Sequence, residues 1–311
     1  PAFILSPNST VPTGYTADNS RKIGGFHCLC LSVGTNVSDH NNVHPLSGYV
    51  TGDILPCSVW DLRHRPVSSP EGMVFDEGSN IWVDIYLSSQ DGTRGSDSSE
   101  DTLELVSAYG GVTADGASSE AWHCWKFEQQ YARQGKRLPY QREFFSFSLG
   151  SNQGTNIFGS ADPNTTGGHQ DTAQRRMISN IGVEDCCGAL WQWGADVGST
   201  NGNNNWVNAY DGNDKYVAGQ VYWQPYRVIL GGAWGTGAIW GSRGSNWNNV
   251  ALNLNANIGA QGTSDTPESV CLPEGWTPRP PLEAGTHSRG MPPASSKPNA
   301  QGGSLPARGD G

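Results

Sequence analysis

Residues 118–150 read SSEAWHCWKFEQQYARQGKRLPYQREFFSFSLG, and this stretch decides the fold class. A serine offers an N-cap, Glu120 falls in the first turn, and Ala121, Cys124, Phe127 and Tyr131 recur at helical spacing on one face before Gly135 stops the run. Pro139 then stands at a plausible first helical position, and Gly150 ends a second, shorter helix. A third short helical segment is expected in HQDTAQRRMIS, from His169 to Ser179.

Outward from these helices the texture is β. In IWVDIYL, Ile81, Val83, Ile85 and Leu87 alternate with Trp82, Asp84 and Tyr86, the pattern of a half-buried strand. FHCLCLSV and TLELVSAY carry weaker versions of the same period, separated by Pro/Gly/Ser-rich turns. After Cys186 the chain turns to Trp-rich short strands joined by Gly/Asn loops up to Asp265. The expected class is α+β, in three parts: an all-β N-terminal region 1–117 for attachment or oligomerisation, a mixed region 118–270, and an extended Pro/Gly/Ser-rich tail 271–311 packed on a neighbouring chain.

Composition narrows the function. The net charge of −10 argues against sequence-independent nucleic-acid binding, which needs a basic face. No apolar run approaches the ~18–20 residues that span a bilayer, so no membrane insertion is expected. Pro1 reads as the residue left after removal of an initiator Met, which makes folding in the cytoplasm the simplest expectation. Seven cysteines without C-x-x-C spacing suit neither a disulfide framework nor a zinc ribbon, and most are expected to be buried reduced thiols. The seven histidines are scattered without ligand spacing. Asp211 and Asp214 read as a polar turn rather than an ion site, and no cofactor or metal is expected.

The segment from Ile229 to Gly262, ILGGAWGTGAIWGSRGSNWNNVALNLNANIGAQG, packs three tryptophans and a cluster of asparagines onto a glycine-rich chain with one charge, Arg243. Asparagine is a poor core residue because each amide brings several hydrogen-bonding valences to be met. An inert surface seldom carries so much tryptophan. The segment therefore reads as a binding face. Trp191 and Trp193 read as inward strand positions whose indole N–H groups need nearby carbonyls. Arg243 reads as a buried guanidinium that would pin several loop carbonyls.

Several motifs, in order along the chain, carry a family likeness. ARQGKRLPYQREFF resembles the Gly-Lys-Arg-Leu-Pro-x-x-x-Glu-Phe element of the formylglycine-generating-enzyme type of C-type lectin fold. GVEDCCGALWQWGADVG resembles the Gly-(acidic)-x-x-x-Gly-x-x-Trp-x-Trp segment of that fold. Gly231-Gly232-Ala233-Trp234, Gly241-Ser242-Arg243 and Asn257-Ile258-Gly259-Ala260 resemble its closing part. SVWDLRHRPVSSPEGMVF followed by WVDIYLSS is similar to the β-rich region that precedes this domain in phage tail proteins. Within the fold, the chain most resembles the bacteriophage major tropism determinant family and the variable proteins diversified by retroelements.

The resemblance implies a phage virion protein of the tail or tail fibre, synthesised in the host cytoplasm, homotrimeric, joined to other tail proteins, that attaches the particle to a host cell-surface receptor of protein or glycan. It implies a fixed framework of Gly231, Gly232, Trp234, Ser242, Arg243, Ile258 and Gly259. The receptor-binding positions it implies are Thr236, Ala238, Ile239, Trp240, Ser245, Asn246, Trp247, Asn248, Asn249, Asn253 and Asn255. Rigid indoles and adaptable amides suit such a task. The alternatives are a structural or decorating virion protein, a metal-independent carbohydrate-binding lectin, and an oxidase like the formylglycine-generating enzyme. The last needs a cysteine pair that residues 229–262 lack, so no enzymatic activity and no catalytic residue are expected. A calcium lectin needs carboxylates where WNN offers only amides.

Overall fold

The computed structural model describes residues 3–6, 11–35, 44–90, 105–117, 121–200, 206–210, 217–222, 225–236 and 241–267. In chain order the strands before the helices are β1 (Gly24–Gly25), β2 (Trp60–Asp61), β3 (Met73–Asp76), β4 (Ile81–Asp84), β5 (Ser88–Gln90) and β6 (Leu105–Ser107). Helices α1 (Cys124–Arg133) and α2 (Gln141–Phe147) follow. The remaining strands are β7 (Trp191–Thr200), β8 (Trp206–Tyr210), β9 (Val217–Tyr222), β10 (Pro225–Leu230), β11 (Ser245–Val250), β12 (Ile258–Gly259) and β13 (Thr263–Asp265). Among the described residues, two α-helices among short sheets make a mixed α+β protein. The described residues belong to one unit, Pro1–Glu268.

The largest sheet runs β11-β10-β7-β12, with β12 parallel to β7 and the other pairs antiparallel. A second sheet, β13-β4-β3, pairs Thr263 with Val83 and Val74 with Val83 on the other side. β4 is thus the centre of a sheet, and it is buried on both faces rather than one. Trp82 is covered by Phe75 and His64, at ring-centroid distances of 5.5 and 5.1 Å. Asp84, on the same face as Trp82 by the strand period, takes Lys136 Nζ at 2.6 Å. Phe75 comes from the paired strand β3 and His64 and Lys136 from outside the strand, which is why alternation alone suggested a half-exposed strand.

Helix α1 begins later than its sequence suggests. The N-cap is His123, whose Nδ1 accepts from the Lys126 N–H at 3.2 Å, and Ala121 has a left-handed φ of 49°. Here the backbone is engaged elsewhere: Trp122 N–H donates to Asp115 O and Cys124 N–H to Ala251 O, both at 3.0 Å. Cys124, Phe127 and Tyr131 form the buried face as expected. Helix α2 starts after Tyr140, with the Glu143 carboxylate reaching back to the Tyr140 N–H, one half of a capping box. Residues 169–179 form turns and bridges, not a helix. Their Asp171 carboxylate collects the Ala173 and Arg175 N–H groups, an Asx-type arrangement that competes with helical bonding.

One core joins Leu29, Leu55, Val74, Val83 and Ile85 to Phe144, Phe147, Val228 and Leu230. A second packs Trp122, Phe127, Tyr131, Trp191, Trp193 and Ile258. Each large side chain so buried contributes about 1.5–3 kcal/mol of transfer free energy. The GKRLP element ties the two cores together. Lys136 neutralises buried Asp84, Arg137 forks onto Glu143 at 2.7 and 2.9 Å and reaches Asp265 at 2.7 Å, and Leu138 is buried.

Trp191 and Trp193 are buried as expected, but Trp193 Nε1 finds no acceptor among the described residues. The six described cysteines are all free thiols; Cys124, Cys186 and Cys187 are buried, whereas Cys28 and Cys30 are exposed beside the Cys28–Ile54 bridge. Asp211, Asp214, Cys271 and the tail 271–311 lie outside the described residues.

Candidate functional site

The Trp/Asn-rich segment is built on two strands and a turn. Gly231 has φ of 84°, and a Cβ there would collide with Cys186 O, so only glycine lets β10 leave the sheet here. The chain is then held by backbone bonds: Gly231 N–H to Gly244 O at 3.0 Å and Trp234 N–H to Ala189 O at 2.8 Å. Gly188 N–H donates to Gly232 O at 2.9 Å. Ser242 is buried and Arg243 is not. Contrary to its sequence reading, the Arg243 guanidinium donates to one carbonyl, Phe145 O, and lies over the Phe145 ring, 5.0 Å from its centroid.

Strand β11 forms the edge of its sheet. Ile229 pairs with Asn246 and Arg227 with Asn249, so Trp247 and Asn248 together oppose Val228. That β-bulge re-aims the two residues outward. Trp247 and Asn248 are exposed, with Trp247 at 39%. The Trp247 ring lies across β7: a Cβ on Gly198 would stand 3.1 Å from its Cε3.

Asn246 Oδ1 accepts from the Asn248 N–H at 2.9 Å and so satisfies the bulge. Asn249 Oδ1 accepts from Asn253 Nδ2 at 2.9 Å, and Asn255 Oδ1 from the Asn257 N–H at 3.3 Å. Thr236 Oγ1 closes a turn with Ala233 N–H at 2.9 Å. Ser245 is half-buried where β11 begins. Asn246, Asn249, Asn253, Asn255 and Thr236 therefore each spend a side-chain valence on the local backbone or on one another. Trp247 and Asn248 sit at the crest. Ala238, Ile239 and Trp240 lie outside the described residues.

Two positioning side chains come from a loop that sequence reading passed over as merely polar. Gln153 Nε2 donates to Ser242 Oγ at 2.8 Å, and Gln153 Oε1 accepts from the Ser242 N–H at 3.2 Å. Asn156 Nδ2 donates to Trp234 O and to Ser160 Oγ. The signal available in sequence was an amide-rich run, SNQGTN, with more donors and acceptors than a turn consumes.

Behind that loop lies an open cleft of about 790 Å³ between residues 31–35 and 157–176. His169 and Arg176 line it, and each is held by a buried carboxylate, Arg176 by Glu184 at 2.8 Å and His169 by Asp185 at 2.7 Å. Burial alone would lower the His169 pKa, but the Asp185 carboxylate outweighs it and holds the imidazole above its ordinary value. These charges are neutralised in pairs, which suits structure better than acid–base work. Among the described residues no group of three or more His, Cys, Asp and Glu is placed to hold a metal ion. No described helix is long and apolar enough to cross a membrane.

The fold and this face define a mixed α+β protein with an aromatic, amide-rich edge on a hydrogen-bonded frame. The family model described as Mtd second domain matches residues 1–61. The tail fiber receptor-binding protein of Bordetella phage BPP-1 is 32% identical over 269 residues, covering 83% of this chain and 66% of that protein. The chain thus spans a little under two thirds of the length of this curated relative. Two solved structures, the major tropism determinant M1 and I1 variants, align with TM-scores of 0.64 and 0.63 at 29% identity. Each alignment covers 83% of this chain and 67% of the other. The chain is thus similar to the major tropism determinants over 83% of its length.

Proposed function

We propose that the chain is the receptor-binding part of a phage tail fibre and attaches the particle to a host cell surface through the face around β11. The observation that carries this reading is the bulge opposite Val228. It lifts Trp247 and Asn248 out of an edge strand whose neighbours are fixed by Gln153 and by their own amides. A rigid frame lets large side chains bind without an ordering cost. The named relatives, a tail fiber receptor-binding protein and tropism determinants, support the same role.

Within this reading the mixed fold is of the C-type lectin kind, the protein is virion-borne, and the copies act as a homotrimer. Several weak sites engaging together then give strong attachment. Residues 1–117 serve attachment or oligomerisation and other tail proteins, residues 118–270 carry the receptor face, and 271–311 dock on a neighbour. Thr236, Ala238, Ile239, Trp240, Ser245, Asn246, Asn249, Asn253 and Asn255 complete the face. No catalysis, cofactor, nucleic acid or membrane insertion enters the role.

The test is binding of the purified chain to a panel of bacterial cells. Trp247→Ala is expected to weaken binding about tenfold or more while the melting temperature stays put. Unchanged binding with a collapsed melting temperature would make Trp247 a packing residue and move the face elsewhere.

A further inference from the structure

Beside the Trp/Asn edge stand two arginines, each laid over an aromatic ring and neither engaged by a carboxylate of the described residues. Arg142 and Arg243 are both exposed, and neither has a carboxylate partner among the described residues. Lys22, Lys136, Arg137, Arg175, Arg176 and Arg227 are paired. Arg21, Arg63 and Arg65 are also exposed without a carboxylate at ion-pair distance among the described residues, but only Arg142 and Arg243 of these five are stacked on a ring. The candidate neighbours are already engaged: Glu143 is held by Arg137, and Asp196 Oδ2 accepts from the Gln141 N–H at 2.6 Å. In a chain of net charge −10, carboxylates are plentiful, so two guanidinium groups left unpaired yet held against aromatic rings need an account.

Both are braced. The Arg142 guanidinium lies over the Tyr140 ring, 5.6 Å from its centroid, and that ring carries Arg137 as well, at 5.2 Å. The Arg243 guanidinium lies over Phe145 and donates to Phe145 O. Arg142 and Phe145, the residue whose ring lies under Arg243, are three apart on α2 and so are neighbours on its surface. Stacking on an aromatic face fixes a planar guanidinium while leaving its edge free for a bidentate acceptor. Arg243 lies between Ser242, clamped by Gln153, and Ser245, where β11 begins, so the pair adjoins the edge that carries Trp247.

We propose that Tyr140, Arg142 and Arg243 extend the receptor face across α2 and dock carboxylates of an acidic protein segment on the receptor. This rests on the reading of the chain as a receptor binder. Tryptophan, tyrosine and arginine are the residue types that dominate protein–protein interfaces, and a carboxylate matches the guanidinium fork. Charge complementarity at such a rim governs association rate and salt dependence.

The experiment titrates the full chain with a synthetic oligo-glutamate peptide and, separately, with inorganic polyphosphate, at low and physiological salt, beside the cell-binding assay. Oligo-glutamate is expected to bind wild type and to weaken with salt. Binding should fall about tenfold in Arg142→Gln/Arg243→Gln, as two exposed ion pairs allow. Arg142→Lys/Arg243→Lys should retain part of it, and Arg63→Gln/Arg65→Gln, a control of equal charge change, should bind as wild type does. The double glutamine variant should also slow cell binding with an unchanged melting temperature. The proposal is overturned if oligo-glutamate does not bind or binds that variant equally well. An equal loss in the Arg63/Arg65 control would reduce it to net charge, and tighter binding of polyphosphate would assign the pair to a phosphorylated glycan. Loss of cell binding in Trp247→Ala but not in Arg142→Gln/Arg243→Gln sinks this patch alone. Cell binding untouched by Trp247→Ala sinks the receptor-binding reading at this edge, whatever the peptide does.

Discussion

Gln153 meets Ser242 twice, its Nε2 donating to Ser242 Oγ at 2.8 Å and its Oε1 accepting from the Ser242 N–H at 3.2 Å. One amide thus fixes the strand approach to β11 from a loop nearly ninety residues away. Gly241 is part of the same device, because a Cβ there would collide with Gln153 Oε1. Gln153→Ala leaves a buried backbone N–H unpaired, at a cost of about 1–3 kcal/mol. Urea denaturation should show that loss. A change below a few tenths of a kcal/mol would mean that Ser242 is held by the backbone alone.

Lys136 and Asp84 form the most enclosed lysine–carboxylate pair described, with side chains 9% and 2% exposed. Burial pushes the Asp84 carboxyl above the usual range, and Lys136 only partly draws it back. Removing one partner of such a pair costs about 3–5 kcal/mol, because the other charge stays buried. Lys136→Met is expected to lose that much in chemical denaturation. Asp84→Asn/Lys136→Met should lose less than the two single variants summed. Strict additivity would show that the charges do not interact.

Local periodicity made the class of the fold legible. The Cys124–Phe127–Tyr131 stripe and the Gly135 stop formed as read, whereas Pro139 stands before the Tyr140 N-cap and not at the first helical position. What misled was non-local. Trp82 and Asp84 look solvent-facing in IWVDIYL until His64, Phe75 and Lys136 cover them. The Ser118–Glu120 start gave way to His123 because Asp115 and Ala251 take the preceding N–H groups. At the candidate site, composition pointed to the Trp/Asn segment. It could not say which asparagines serve the backbone, since that depends on a bulge set by register with β10. Gln153 and Asn156 were invisible because polar loop residues have no period.

His169 gives the stability a pH signature. Its imidazole is held above the ordinary value of 6.5 by Asp185, despite burial. A raised folded pKa contributes stability fully present below the unfolded value and lost as pH rises through the folded one. The neighbouring Glu184 is raised by burial, with Arg176 opposing, and its loss falls with the same sign from lower pH. Burial would raise the Asp171 carboxyl, but Arg175 and Thr155 hold it below the ordinary 3.8, so its contribution disappears on acidification instead. Denaturation midpoints should therefore decline from pH 6.5 upward, and His169→Gln should flatten that limb while leaving the acid limb intact. An unchanged alkaline slope in the variant would remove His169 from the account.

Gly198 offers a way to move Trp247 without altering it. A Cβ at Gly198 would stand 3.1 Å from Trp247 Cε3 and 3.7 Å from Tyr226 Cβ, so the branched side chain of Gly198→Val must displace the indole. The displaced ring moves into solvent, because Trp247 is already 39% exposed, and the cost to folding stays within about 1 kcal/mol. Cell binding by the purified chain should nevertheless drop, since a hot-spot ring acts only in its fitted orientation. The two sites touch, so their effects should not add. In a Trp247→Ala background, Gly198→Val is expected to change binding no further. If it weakens binding equally in both backgrounds, Gly198 acts through the backbone of β7, and the platform beneath Trp247 is not what orients the face.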